Sequence, residues 1–112
     1  MWVFFFVLLV PQRLSEAEHA VLLAPKYNAK IEVVLWDKTR ADLMNSTYAI
    51  EIDFGKKWAE AIGQSLYYSI LTGKKPAIIL LIGKDESRFA YRCQTVCAKI
   101  GIKLFVEKVR FR

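Results

Sequence analysis

Three carboxylates lie in two neighbouring segments that the sequence predicts to be strands. Glu51 and Asp53 are two residues apart in the apolar run 48–54, so their side chains point to the same face of a strand. Asp42 lies in the run 40–44, and a strand there can bring a third carboxylate beside the other two. Carboxylate oxygens are the ligands that hard divalent cations such as Mg²⁺ or Mn²⁺ prefer. We therefore predict Asp42, Glu51 and Asp53 as metal ligands.

A helix predicted directly after these strands offers a polar face to the carboxylates. Lys57, Gln64 and Tyr68 stand at positions i, i+7 and i+11, which places them along one side of a helix. An ammonium, an amide and a phenol suit a phosphate group and its metal ion.

The order of these residues resembles the PD-(D/E)XK nuclease superfamily, whose core is an α-β-β-β-α-β unit. That superfamily has an acid in the first helix, Asp on the second strand and Glu-x-Lys on the third. Its branch of recombination-helicase exonuclease domains adds Gln-x-x-x-Tyr on the next helix. Over residues 15–82 this chain supplies Glu16 or Glu18, Asp42, Glu51, Gln64 and Tyr68. The resemblance implies an Mg²⁺- or Mn²⁺-dependent nuclease that hydrolyses DNA or RNA, with Glu18 among the substrate contacts. It also implies that Lys57 orients a water molecule or offsets charge building on a phosphate. Gln64 and Tyr68 would contact the substrate backbone or position the lysine.

The lysine of the Glu-x-Lys motif is missing, because Asp53 stands where the superfamily has it. Lys57 on the following helix is one replacement, reaching back to the strand. Asp53 could instead act as an extra metal ligand. A third alternative is an inactive nuclease fold that binds nucleic acid or a protein partner, so the sequence leaves open whether the chain is an enzyme.

The hydrophobic pattern predicts one α/β domain with a mixed sheet of four to five strands flanked by helices, in the order α-β-β-β-α-β-α-β. The first helix begins at Ser15, since Ser15 and Glu18 form a capping box, and it ends at Pro25. A second helix follows Gly55 and ends at Gly73, and a third spans 85–101. The predicted strands are 30–36, 40–44, 48–54, 76–83 and 102–109.

Length and charge bound the function further. The chain has 112 residues, 54% of them hydrophobic, which suits one domain with a real core. Seventeen Lys and Arg against eleven Asp and Glu give a net charge of +6. Such a charge favours a nucleic-acid partner, but it is also found in basic proteins that have no such partner. No glycine-rich loop has the spacing of a nucleotide-binding site, so no nucleotide cofactor is predicted. The oligomeric state stays open, with a dimer among the options.

The first ten residues, MWVFFFVLLV, are uninterruptedly apolar. They are too short for a stable membrane span, and their length fits a secretory signal. We interpret residues 1–14 as a signal-like segment before a domain at 15–112, which favours export to a periplasm or to the outside. The alternatives are a misassigned start codon or a first strand retained in a cytoplasmic protein.

The cysteines and the histidine are residue types that often take part in catalysis or metal binding, but here we expect them to be structural. Cys93 and Cys97 lie four apart in a predicted helix, a poor geometry for a disulfide and too few ligands for zinc. We expect both to be small buried apolar residues. His19 is the single histidine, and we expect it at the surface or in a helix cap.

Overall fold

The computed structural model describes residues 10–112 and contains the elements in the predicted order. The helices are α1 (Glu16–Leu23), α2 (Trp58–Thr72) and α3 (Ser87–Ile100). The strands are β1 (Lys30–Val34), β2 (Arg40–Met44), β3 (Tyr48–Phe54), β4 (Lys75–Ile82) and β5 (Lys103–Lys108). A single 3-10 turn, Gly55–Lys57, joins β3 to α2. The prediction of one α/β domain with a mixed sheet is confirmed.

The five strands form one sheet in the order β1-β2-β3-β4-β5. The first three are antiparallel neighbours, and β3, β4 and β5 run parallel. Short turns explain the antiparallel part: Asp37 accepts hydrogen bonds from the backbone and hydroxyl of Thr39, and Asn45 accepts from the backbone of Thr47 and Tyr48. The parallel part needs longer crossovers, which α2 and α3 provide.

Each face of the sheet has its own hydrophobic core. Tyr48, Ile50 and Ile52 of β3 belong to the core that α1 covers, whereas Glu51 and Asp53 point to the opposite face, as the alternation in 48–54 predicted. The second core lies on that opposite face, between the sheet and helices α2 and α3. It includes the alternate residues of β4 that point to this face, together with residues of both helices: Ala61, Ile78, Leu80, Cys93 and Cys97.

Gly55 lets the end of β3, the end of β4 and the start of α3 approach closely. A Cβ atom on Gly55 would lie 2.7 Å from Cδ1 of Ile82 and 3.2 Å from Cβ of Phe89. Only glycine fits at such a distance without movement of its neighbours. This contact places the Gly55–Lys57 turn, and with it Lys57, at the carboxyl end of the parallel strands.

His19 is fully buried, so the expectation of a surface or capping position is wrong. Its Nδ1 atom lies 2.8 Å from the carbonyl oxygen of Ser15, and its Nε2 atom accepts a hydrogen bond from the backbone N–H of Arg110 at 2.9 Å. Because Nε2 accepts, Nδ1 carries the proton and donates to Ser15. His19 thereby ties α1 to the segment that follows β5.

Cys93 and Cys97 are buried and free, as expected for small apolar residues in a helix. Their sulfur atoms lie 3.7 Å apart, well beyond a disulfide bond length. Burial raises the pKa of the Cys93 thiol to about 12, with the neighbouring Cys97 adding to the shift. Both thiols therefore serve packing between α3 and the sheet.

The described chain begins just outside the predicted domain. Residues 1–9, which carry most of the signal-like segment, lie outside the described residues. Leu14 donates its N–H to the carbonyl of Arg110, Arg112 donates to Gln12, and Arg13 forms an isolated β-bridge with Phe111. Within residues 10–112, no helix has both the length and the apolar character to cross a membrane.

Candidate functional site

Asp42 and Glu51 meet where β2 and β3 separate. The paired register of the two strands ends at Leu43 opposite Ile50, and its continuation puts Asp42 opposite Glu51. Oδ2 of Asp42 accepts a hydrogen bond from the backbone N–H of Ile52 at 2.8 Å. The Asp42 carboxylate thus accepts the Ile52 N–H in place of a backbone carbonyl of β2. The expectation that the 40–44 segment brings Asp42 beside Glu51 is confirmed.

Glu51 is a buried carboxyl group without full hydrogen bonding. Its side chain is 5% exposed, and its Oε2 atom has no hydrogen-bond partner. Burial raises the pKa of Glu51 to about 10, and the charge and hydrogen bond of Asp42 add to the shift. At neutral pH the metal-free group therefore carries a proton. A buried polar atom left unpaired costs free energy, so this position favours a cationic or hydrogen-bonding ligand.

Asp53 lies at the carboxyl end of β3 and meets residues of two helices. It is 3% exposed, and burial raises its pKa to about 7, with a hydrogen bond and the charge of Glu16 adding to the shift. The Lys57 ammonium opposes that shift and lies 3.5 Å from Oε1 of Glu16. Lys57 thus does reach back towards the end of β3, where the sequence predicted a replacement lysine.

Glu16, and not Glu18, is the acid that α1 contributes to this region. Glu18 accepts two hydrogen bonds from the Arg112 guanidinium, at 2.6 and 2.8 Å, and completes the capping box with Ser15. The Arg112 hydrogen bond and the Ser15 backbone lower the pKa of Glu18 to about 2. The capping box in the sequence could have indicated this choice, because it engages Glu18 in the helix cap and leaves Glu16 to approach Asp53.

The helix face predicted to carry Lys57, Gln64 and Tyr68 is only partly brought to the acids. Ala61, on the same face, is fully buried and lets α2 lie close to the sheet. Tyr68 is half-buried, and burial, followed by the charges of Glu51 and Asp42, raises its pKa. Gln64 is exposed, whereas Tyr68 lies near enough to the carboxylates for their charges to act on it.

Glu32 on β1 is a further acid that the sequence reasoning missed. The β1–β2 register pairs Ile31 with Leu43 and Val33 with Ala41, so Glu32 lies opposite Asp42. Its backbone has φ of 47°, a left-handed conformation that is uncommon for a residue with a side chain. The sequence KIEVV could have indicated this position, because the register of the β1–β2 hairpin sets its one acid, Glu32, opposite Asp42.

Six acids thus gather around the end of β3, and we call them the acidic cluster. Burial raises the pKa of Asp42, with the charges of Glu16 and Glu32 adding to it, and Glu60 acts in the same way on Asp53. The cluster consists of Glu16, Glu32, Asp42, Glu51, Asp53 and Glu60.

The acidic cluster suits a cation through a pair of ligands. Across residues 10–112, no group of three or more His, Cys, Asp or Glu side chains is placed to hold a metal ion together. Asp42 and Glu51 nevertheless lie close enough for each to act on the pKa of the other, and Glu51 keeps an unpaired buried oxygen. Proteins commonly hold Mg²⁺ by one or two carboxylates, with water and substrate phosphate completing its shell. This pair fits that mode of binding.

Comparison with known proteins shows similarity to a viral protein. A KilA-N domain-containing protein of Acanthamoeba polyphaga mimivirus is 35% identical over 85 residues, which cover 73% of this chain. The aligned part is 22% of the viral protein, so the chain spans about a fifth of that relative. No family model matches the chain, and no solved structure matches it.

Proposed function

We propose that this chain is a nucleic-acid-binding domain. The observation that carries the proposal is the separation of its charges. Six of its eleven acids lie in the acidic cluster, and Lys57 is paired with one of them, so sixteen Lys and Arg stand against five acids over the rest of the chain. A surface this basic attracts a polyanion at long range. The similarity to a KilA-N domain-containing protein also favours a nucleic-acid partner.

The basic residues next to the acidic cluster support this partner. Lys56 lies in the turn after β3, and Lys84 and Arg88 lie between β4 and the first turn of α3; all three are exposed. The packing of Gly55 against α3 brings these segments to the end of the sheet that carries Asp53. Ligands of open α/β sheets bind beyond the carboxyl ends of parallel strands, so a phosphate backbone can follow these cations past the acidic cluster.

Fluorescence anisotropy with labelled DNA and RNA tests binding. Lys56→Gln should weaken binding several-fold and reduce the salt dependence of the binding constant by about one ion per chain. Lys75→Gln is the matched control, because Lys75 is exposed at the opposite end of the sheet. Equal effects of the two variants, or binding insensitive to salt, would refute the proposed surface.

A finer proposal follows from Glu51: the domain is a PD-(D/E)XK-type nuclease whose cation is Mg²⁺ or Mn²⁺. The unpaired buried oxygen of Glu51 beside Asp42 is the observation that supports it. Asp42, Glu51 and the backbone carbonyl of Ile52 would hold the cation, with Asp53 as a further acid. When bound, such a cation activates water and polarises a phosphodiester for hydrolysis.

The protein's own residues would position the phosphate. Lys57 supplies a positive charge at the end of β3, where it can offset charge on the scissile phosphate. Tyr68 lies near enough to Glu51 and Asp42 for their charges to raise its pKa, so its hydroxyl would contact a phosphate held there, and the exposed Gln64 would contact the backbone of the nucleic acid.

An inactive nuclease fold that binds nucleic acid or a protein partner is the second candidate. Asp53 replaces the expected lysine, and the ammonium of Lys57 is already paired with Glu16 at 3.5 Å. Both features would reduce the positive charge available to a phosphate. This candidate predicts nucleic-acid binding that survives EDTA and no cleavage with any metal.

Calorimetric titration of Mg²⁺ and Mn²⁺ separates the two candidates. The full chain should bind the cation saturably, and Asp42→Asn and Glu51→Gln should each abolish that binding. Cleavage of single- and double-stranded DNA and RNA, lost in both variants, would complete the finer proposal. No heat of binding at millimolar metal would refute the nuclease and leave the binding domain.

A further inference from the structure

We infer that the outer face of α3 binds single-stranded nucleic acid: Tyr91 stacks on an unpaired base, and three cations of the helix hold the neighbouring phosphates. The inference rests on the proposed function and deepens it, because it names the form of nucleic acid and the element that holds it. It uses residues outside the acidic cluster and needs no metal ion.

The outer face of α3 is the side of the helix that points away from the sheet. Cys93 and Cys97 mark the inner side, because both are buried in the core between the helices and the sheet. Side chains at i, i+4, i+7 and i+11 lie along one side of a helix. The four residues with this spacing opposite the cysteines are all exposed: Arg88, Arg92, Thr95 and Lys99. At 1.5 Å per residue the stripe is about 16 Å long.

The stripe carries positive charge that nothing within the helix offsets. The segment Ser87–Ile100 contains three cations and no Asp or Glu. Among residues 10–112, none of these cations forms an ion pair with a carboxylate. The stripe is therefore complementary in charge to a phosphate backbone.

The two arginines of the stripe are held side by side by one aromatic ring. The guanidinium carbons of Arg88 and Arg92 lie 4.3 and 5.9 Å from the centre of the Phe89 ring, within the range of a cation–π contact. Arg88 also donates a hydrogen bond to the backbone carbonyl of Asp85 at 2.6 Å. A guanidinium has five N–H donors, so the remaining donors of both side chains suit phosphate oxygens.

Tyr91 gives this face its preference for an unpaired base. It borders the stripe one turn after Arg88 and is 76% exposed. Exposed aromatic rings beside cations are the means by which proteins bind single strands, since a base stacks on the ring while the cations hold the backbone. A base within a duplex is already stacked and paired, so its face is closed to the tyrosine.

The direction of α3 connects this face to the basic residues beside the acidic cluster. The helix begins where Phe89 packs against Gly55, at the carboxyl end of the parallel strands, and ends at Ile100 before β5. Arg88 belongs to both groups of cations. A strand bound along α3 therefore continues from the surface already proposed towards the opposite end of the sheet.

Fluorescence anisotropy with a labelled oligothymidylate and a labelled hairpin duplex tests the stacking. Tyr91→Ala should weaken binding of the single strand by about 5- to 150-fold and binding of the duplex by less than twofold. Tyr91→Phe should stay within twofold of the wild type for both, because it keeps the ring. Trp36→Ala is the matched control, since Trp36 is an aromatic residue of similar exposure, 79%, next to β1 at the other edge of the sheet. It should leave both affinities unchanged.

The salt dependence of single-strand binding tests the cations. Arg92→Gln and Lys99→Gln should each lower the slope of log affinity against log salt by about 0.7, the value for one phosphate contact on a single strand. Lys30→Gln is the control, because Lys30 is exposed on β1 and far from α3 in the strand order. Its slope should equal that of the wild type.

The outcomes separate this inference from the function on which it rests. Single-strand binding that Tyr91→Ala leaves intact, or equal losses for single strand and duplex, would overturn the stacking and keep the nucleic-acid-binding domain. A loss in Tyr91→Phe as large as in Tyr91→Ala would also overturn it, because the hydroxyl and not the ring would be responsible. No binding of either oligonucleotide by the wild type would refute both proposals. Circular dichroism of each variant confirms that the titrated protein is folded.

Discussion

Replacing Glu51 by Gln should make the metal-free protein increasingly stable relative to the wild type as the pH rises. The pKa of Glu51 rises from 4.5 to about 10 on folding, because the group is buried and lies beside Asp42. Between these two values the unfolded chain releases the proton that the folded chain keeps. Folding stability must therefore fall as the pH rises from 4.5 towards 10, and a glutamine, which does not titrate, removes that loss.

The magnitude follows from the same linkage. Each pH unit within this window costs up to about 1.4 kcal/mol, so at pH 7 the wild type loses at most about 3 kcal/mol through Glu51. The glutamine amide adds a cost of its own, about 1–3 kcal/mol where its N–H groups stay unpaired, but that cost is independent of pH. The difference in stability between variant and wild type should therefore rise by about 1 kcal/mol per pH unit from pH 5 to pH 8, whatever its absolute sign.

Urea unfolding of both proteins in EDTA at pH 5, 6, 7 and 8 measures this slope. Gly63→Ala, which changes no titratable group, supplies a reference whose difference from the wild type should not vary with pH. Saturating Mn²⁺ should then stabilise the wild type by about 3 kcal/mol at a hundredfold excess over its dissociation constant and leave Glu51→Gln unchanged. A stability difference that stays constant from pH 5 to pH 8 would mean that Glu51 is ionised in the folded protein, which would refute the reasoning.

Three further predictions test the scaffold. Gly55→Ala should destabilise the protein by about 1–3 kcal/mol in urea unfolding, because the added Cβ has no room. Gly63→Ala is the control: its Cβ would have nothing within 4 Å, so it should stabilise the protein by up to about 1 kcal/mol. Equal effects of the two substitutions would contradict the close approach at Gly55. His19→Leu should cost about 1–3 kcal/mol, because it leaves the N–H of Arg110 without its acceptor, and a neutral result in thermal unfolding would show that water replaces it. Cys93, buried and with its pKa raised to about 12, should react with a thiol reagent only as fast as the protein unfolds, and immediate labelling of the native protein would contradict its burial.

The fold was largely predictable because each element carries its own signal. The alternation in 48–54 fixed which residues of β3 face α1, and the apolar run of β4 identified a central strand. His19 shows where this reasoning stops. A histidine one turn into an amphipathic helix gives no sign that a backbone N–H ninety-one positions later will need it as an acceptor, because that pairing depends on how the chain returns after β5.

The candidate site was predictable where one strand or one hairpin determines the geometry. Parity alone placed Glu51 and Asp53 together, and a short turn brought Asp42 to them. The choice between Glu16 and Glu18 required recognition that a capping box uses its own acid, and Glu32 required the register of a second hairpin. Tyr68 was placed correctly near the acids, but the position of Gln64 depends on how α2 rotates about its axis, which Ala61 and the core decide.

The pairing of residues 12–14 with residues 110–112 has a consequence for the architecture of any longer protein that contains this domain. These two segments lie side by side, because Leu14 and Gln12 are joined by hydrogen bonds to Arg110 and Arg112, respectively. A domain of this kind can be inserted into a surface loop of another protein without pulling that loop apart. It should equally accept circular permutation, with a short linker across this junction and new ends in the exposed β1–β2 turn.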